Sequence, residues 1–262
     1  MSPPSDQPTV QLPSEVRMPI LGFGTWQITG RRAYEAVREA LDVGYRHIDT
    51  ATMYGNEDEV GRAVRDSGVP REDIFITTKL PPERAGRERE TIQASLAALD
   101  TGYVDLWLIH WPPSADPASI ATWRELLAVR DEGLARTVGV SNYDTIQLDA
   151  LIEATEEAPA VNQVRWGPAL HDPQQLAENR DRGVVLEGYS PLKTTDLRDP
   201  VLVGIAKAHG VTPGQVVLRW HVDHGIVVIP KSATPARIRE NFDIFGFSLS
   251  ESERRQLDAM GR

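Results

Sequence analysis

A chain of 262 residues, 40% of them hydrophobic, suits one large α/β domain or two small ones, with a sizeable core. Its formal net charge of -10 argues against nonspecific nucleic-acid binding, so any anion site must be local and built from a few basic residues. The lack of cysteine excludes disulfides, thiolate zinc sites and a cysteine nucleophile, and fits a reducing compartment.

Residues 1–9 are rich in Pro and Ser and lack a basic-then-apolar signal pattern, so they read as a disordered N-terminus before a single domain over 10–262. No apolar run approaches the ~20 residues a membrane helix needs. The expectation is a cytoplasmic monomer with no membrane or nucleic-acid partner. A short hairpin is expected over 10–18 and the first core strand over 20–25. Residues 30–43 have helical apolar spacing at Ala33, Val37, Ala40 and Leu41, and Gly44 stops the pattern. Strands follow at 45–49, 74–78, 104–109, 137–141, 160–163 and 184–189. Asn56 and Glu59 resemble a capping box opening a helix over 56–67. Further helices are expected over 88–99, 119–131, 145–154 and 174–182. Two more, each opened by a polar residue before proline (Asp199 and Thr212), precede the last strand, 226–229. The continuous apolar run of that strand suits burial on both faces. Thr234 before Pro235 starts another helix, and Ser250 with Glu253 caps a final one near 260.

Strands alternating with helices imply parallel pairing. Eight such units close naturally into a (β/α)8 TIM barrel, here with a short N-terminal hairpin and extra C-terminal helices. The alternative is an open doubly wound sheet. Against it, the turn after the first strand (Gly22, Phe23, Gly24, Thr25, Trp26, Gln27) has no Gly-x-Gly-x-x-Gly pattern.

In a barrel, function sits on the loops after the C-terminal strand ends. Asp49 and Tyr54 follow the second strand, Lys79 the third and His110 the fourth, so all four share one rim. Their chemistry suits reduction of a carbonyl by hydride, in which the oxygen needs a proton as charge builds on it. A phenol is a poor acid, with a reference pKa of about 10. An ammonium within hydrogen-bond reach lowers that value. A carboxylate on the far side of the ammonium keeps it charged and aimed, and a histidine can orient the carbonyl oxygen.

A second cluster follows the eighth strand. Lys231 offers a point charge, Arg237 a planar fork and Ser232 a hydroxyl, all beside a helix N-terminus, which suits a phosphate monoester. Arg239 on the same helix is read as solvated. Polar residues end other strands. Ser141, Asn142 and Gln163 supply donors and acceptors for a carboxamide such as nicotinamide, and Tyr189 a face for a flat ring.

With these residues in view, the chain resembles the aldo-keto reductases. The likeness rests on the motifs at 22–26, 44–51 with Tyr54, 78–79, 108–112, 139–142, 162–163, 189–192 and 229–232, and runs from about residue 10 to 260. It is most similar to the bacterial branch that includes 2,5-diketo-D-gluconate reductases, members of which reduce small dicarbonyls such as methylglyoxal. The resemblance implies NADPH as cofactor and an aldehyde or ketone as substrate, with no metal. It implies Tyr54 as proton donor, tuned by Lys79 and Asp49, with His110 orienting the carbonyl. It places Ser141, Asn142 and Gln163 on the nicotinamide amide and Tyr189 on its ring. Lys231, Ser232 and Arg237 would surround the 2′-phosphate, with Glu240 and Asn241 near the adenine. Gly24, Thr25, Asp49, Ser190 and Leu192 complete the implied cofactor contacts. Trp26 and Trp111, with Tyr54 and His110, would line the substrate pocket.

Two features depart from the pattern. Arg165 stands where many members have Glu, and the chain stops at Arg262, soon after its last helix, which implies an open pocket. Two alternatives to a carbonyl reductase stay open at this point: a nonenzymatic NADPH-binding regulatory subunit, and an NAD(P)-linked alcohol dehydrogenase.

Overall fold

The computed structural model describes residues 7–113 and 116–261. β1 (Thr9–Gln11) and β2 (Arg17–Pro19) form an antiparallel hairpin. Residues 7–9, expected to belong to a disordered N-terminus, are instead bonded into the fold. The Pro8 carbonyl accepts from Ile20 N–H, and the Gln7 side chain donates to the Leu21 carbonyl, tying this segment to the start of the barrel. The first six residues lie outside the described ones.

The main sheet is β3 (Phe23–Gly24), β4 (His47–Asp49), β5 (Phe75–Leu80), β6 (Val104–Ile109), β7 (Ala135–Ser141), β8 (Val161–Arg165), β9 (Val185–Tyr189) and β10 (Val227–Ile229). Each strand pairs in parallel with the next in sequence. Leu21 bridges Val228, and the N–H groups of Gly22 and Gly24 donate to Val228 O (2.8 Å) and Pro230 O (3.0 Å). These contacts join the first strand to the last, and the sheet closes into a (β/α)8 barrel. β8 runs two residues further than the 160–163 read from sequence and carries Arg165 onto the rim.

Helices α1 (Arg31–Val43), α2 (Glu57–Asp66), α3 (Glu88–Leu99), α4 (Asp116–Asp131), α5 (Thr145–Thr155) and α6 (Pro173–Asp181) alternate with the strands. α7 (Pro200–His209) and α8 (Pro213–Asp223) both precede β10, and α9 (Pro235–Phe242) and α10 (Glu251–Asp258) follow it. α1 buries Ala33, Ala36, Val37, Ala40 and Leu41, the stripe its spacing calls for. It ends at Gly44, whose φ of 123° a side chain would strain. The capping box at Ser250 and Glu253 forms as expected.

The box expected at Asn56 does not form. Asn56 caps no helical N–H. Its Oδ1 accepts from the Thr50 hydroxyl (2.7 Å), and its amide donates to Thr25 O (3.1 Å) and Ile28 O (2.7 Å). The side chain clamps the loops after β3 and β4 together beneath the rim. The helix start is instead favoured by Glu57, Asp58 and Glu59 in its first turn, near the positive end of the dipole. Asn56→Ala breaks three buried bonds and should cost roughly 2–3 kcal/mol in urea unfolding. An unchanged midpoint would mean that other contacts hold these loops.

Alternation along each strand divides the core. Outward residues such as Trp107 pack with helix residues such as Trp123, while Phe75, Leu106, Leu108, Val161 and Val227 meet inside the barrel. Leu12 and Met18 of the hairpin region close that inner cluster from below. Above it lies a polar layer of His47, Thr77, Gln163 and Glu187, all buried.

Candidate active site

Asp49 ends β4, Tyr54 lies in the helical turn Thr52–Tyr54 just beyond it, Lys79 sits near the end of β5, and His110 directly follows β6. The barrel brings all four together. The Lys79 ammonium is fully buried, and its three donors are all engaged. It lies 2.7 Å from Asp49 Oδ1, 2.8 Å from the Thr50 carbonyl and 3.4 Å from the Tyr54 hydroxyl. The His110 ring stands edge-on to that of Tyr54, with centroids 5.7 Å apart.

Charge follows from this packing. Burial works to lower the Lys79 pKa, but Asp49 and the Tyr54 hydroxyl outweigh it, and the ammonium is held above its ordinary value. Burial, with the Lys79 charge adding to it, pushes His110 down to about 3, so its imidazole is neutral at physiological pH. Tyr54 corrects the expectation from sequence. Lys79 does pull its pKa down, but burial is the larger effect and holds the phenol above its usual value. In the free protein Tyr54 is therefore a protonated group beside a cation.

Asp49, Tyr54 and His110 border a cleft of about 520 Å³, which Gly24, Trp26, Trp111, Ser141, Asn142, Gln163, Tyr189, Ser190, Leu192 and Lys231 also line; Lys79 is not in its lining but is bonded to Asp49 and Tyr54. A larger groove of about 1110 Å³ lies at the opposite end, among Arg17, Arg46 and Asp105, and none of the four reaches it. The amide-binding candidates form a web with one another. Ser141 donates to the Gln163 carbonyl (2.7 Å), and Asn142 donates to Ser141 Oγ (2.9 Å) and His110 O (3.2 Å). The Tyr189 hydroxyl donates to Asn142 Oδ1 (3.0 Å). Asn142 adopts a left-handed backbone (φ 64°), which asparagine tolerates better than most residues.

Other candidates stand outside this cleft. Thr25 is buried, and its hydroxyl donates to the Asp49 carbonyl (3.0 Å). Ser232 is buried and accepts from Thr234 N–H (3.1 Å). Arg237 is exposed on α9, Asn241 is buried, and Glu240 accepts from the Thr212 hydroxyl (2.8 Å). Of the second cluster, only Lys231 reaches the cleft. Arg239, read as solvated, is ion-paired with Glu39.

A family model described as the aldo/keto reductase family matches residues 20–262. The chain belongs to the aldo/keto reductase family. It is 42% identical over 250 residues to a methylglyoxal reductase DkgA of Yersinia pestis, spanning 94% of this chain and 90% of that one. It is 40% identical to a morphine 6-dehydrogenase of Pseudomonas putida, over 97% of this chain and 91% of the other. Among solved structures, an aldo/keto reductase from Brucella melitensis superposes with a TM-score of 0.94 at 42% identity, covering 97% of this chain and 99% of that one. The DkgA relatives place this aldo/keto reductase with the 2,5-diketo-D-gluconate reductase-like branch, and it is an oxidoreductase acting on carbonyl groups.

Two residues of this reductase escaped the reading from sequence. Lys193 lines the cleft with its ammonium 5.0 Å from the centre of the Trp26 ring, linking the loops after β3 and β9. It directly follows the Tyr-Ser-Pro-Leu motif, which was the available signal. Glu187 lies fully buried two residues before Tyr189, on the same face of β9. Arg165, the departure from the family pattern, lines the cleft beside Tyr189, its register partner.

Proposed function

We propose that this enzyme reduces aldehydes and ketones with NADPH and that Tyr54 gives the proton. The observation carrying the proposal is the buried Lys79 ammonium held between Asp49 and the Tyr54 hydroxyl. The residues present suit the cofactor. Ser141, Asn142 and Gln163 collect amide and hydroxyl groups at one end of the cleft, beside the Tyr189 ring. At the other end burial lowers the Lys231 pKa, and the nearby charges of Lys193 and Arg32 lower it further. Cations crowded in this way, with no ion pair of their own among the described residues, favour an anionic ligand such as a pyrophosphate. When bound, the reduced nicotinamide supplies hydride to the carbonyl carbon. Tyr54 then passes its proton to the carbonyl oxygen, and Lys79 stabilises the phenolate left behind. Asp49 keeps the ammonium charged throughout. His110, being neutral, serves as a hydrogen-bond donor that orients the carbonyl rather than as the acid.

The relatives named methylglyoxal reductase support small dicarbonyls as substrates. Absorbance of NADPH followed with methylglyoxal and phenylglyoxal tests the activity, and tight binding without turnover across a carbonyl panel would overturn it. Arg237 is assigned to the 2′-phosphate. Arg237→Ala should weaken NADPH binding about tenfold or more, the usual worth of a hydrogen bond to a charged group, and change NADH little. Equal weakening of both would refute the assignment.

A further inference from the structure

Gln163 is placed by two acidic side chains. Its single amide nitrogen donates to Asp49 Oδ2 (2.8 Å) and to Glu187 Oε2 (2.9 Å). Both N–H groups of the amide are thereby engaged. No donor among the described residues reaches its Oε1, and Gln163 lines the cleft, so this oxygen is the atom left for a ligand. We propose that Glu187 is a positioning residue for the nicotinamide end of the cleft: with Asp49 it fixes the plane of the Gln163 amide, so that Oε1 accepts from the –NH2 of the carboxamide.

The inference rests on the NADPH reading above. One tether alone would let the amide turn about its last torsion, which is intrinsically broad in glutamine. Two tethers on the two N–H groups define its plane. Glu187 is fully buried, with Asp49 and Lys79 as its charged neighbours. Burial, with the Asp49 charge adding to it, pushes the Glu187 carboxyl up to about 8. Burial thus favours the uncharged acid at Glu187, which eases repulsion between the two side chains that Gln163 bridges.

The test compares binding of NADP+ with that of its 3-acetylpyridine analogue, in which a methyl group replaces the amide –NH2. Tryptophan fluorescence reports binding, since Trp26 and Trp111 border the cleft. Wild type should prefer NADP+ on the order of tenfold, the worth of one hydrogen bond whose acceptor is otherwise stranded. Glu187→Met fills the space without offering an acceptor and should lose most of that preference. Glu187→Gln retains an acceptor oxygen and should keep it. Equal discrimination in wild type and the methionine variant overturns the proposal. If that variant does not fold, loss of discrimination in the glutamine variant overturns it instead. Failure of wild type to bind NADP+ at all sinks the cofactor reading, and this inference with it.

Discussion

Tyr54→Phe is expected to lower kcat for aldehyde reduction about 10²- to 10⁴-fold, the usual contribution of a positioned general acid. NADPH affinity should stay within about twofold, because the ring remains and only the hydroxyl that faces Lys79 is lost. The prediction separates the two candidate acids. His110, held near 3, carries no spare proton at neutral pH, whereas burial keeps the Tyr54 phenol protonated until charge develops on the substrate. Steady-state kinetics alongside a fluorescence titration of NADPH would check it. A phenylalanine variant that turns over at the wild-type rate would move the acid elsewhere.

The second large effect concerns Lys79→Met, which should abolish turnover and also destabilise the fold. Removing the ammonium leaves the buried Asp49 carboxylate with only the Gln163 amide against it from the side chains. Stranding one partner of a buried ion pair costs roughly 3–5 kcal/mol. For a chain of this size that is a drop in Tm on the order of 10 °C. The pH dependence follows from the raised pKa of Lys79. A cation whose folded pKa lies above its unfolded value stabilises fully below that unfolded value, about 10.5, and the contribution fades as pH climbs through the folded value. The melting-temperature gap between wild type and variant should therefore hold steady across neutral pH and narrow only in strong alkali. A gap that closed near pH 7 would mean that the ammonium is not paired as the geometry requires.

Much of this was legible in the chain because regular alternation and strand-end placement are local signals. Asp49, Lys79 and His110 fall at or just after strand ends, and the barrel topology alone carries them, with Tyr54, to a shared rim. What escaped depended on spacing in three dimensions. Asn56 and Glu59 have the local pattern of a capping box, but the loop carbonyls of Thr25 and Ile28 lie within reach of the Asn56 amide, and that clamp prevails. The Tyr54 phenol was read from its charged neighbour, whereas its balance is decided by how much protein surrounds it. Glu187 carries no strand-end signal, because it lies inside β9 rather than at its end. One pleat lower on β9 the same face carries a carboxyl group that accepts from Gln163, its register partner on β8. Of the basic residues after β10, Lys231 lines the cleft, while Arg237 lies on α9 outside that lining.

The hairpin beneath the barrel has a consequence for truncation. Leu12 and Met18 pack into one cluster with Phe75, Leu106 and Val227, so the segment is part of the core rather than an appendage. Cutting the chain after residue 18 should therefore bare the lower face of that cluster to water and weaken the whole barrel, not merely trim a tail.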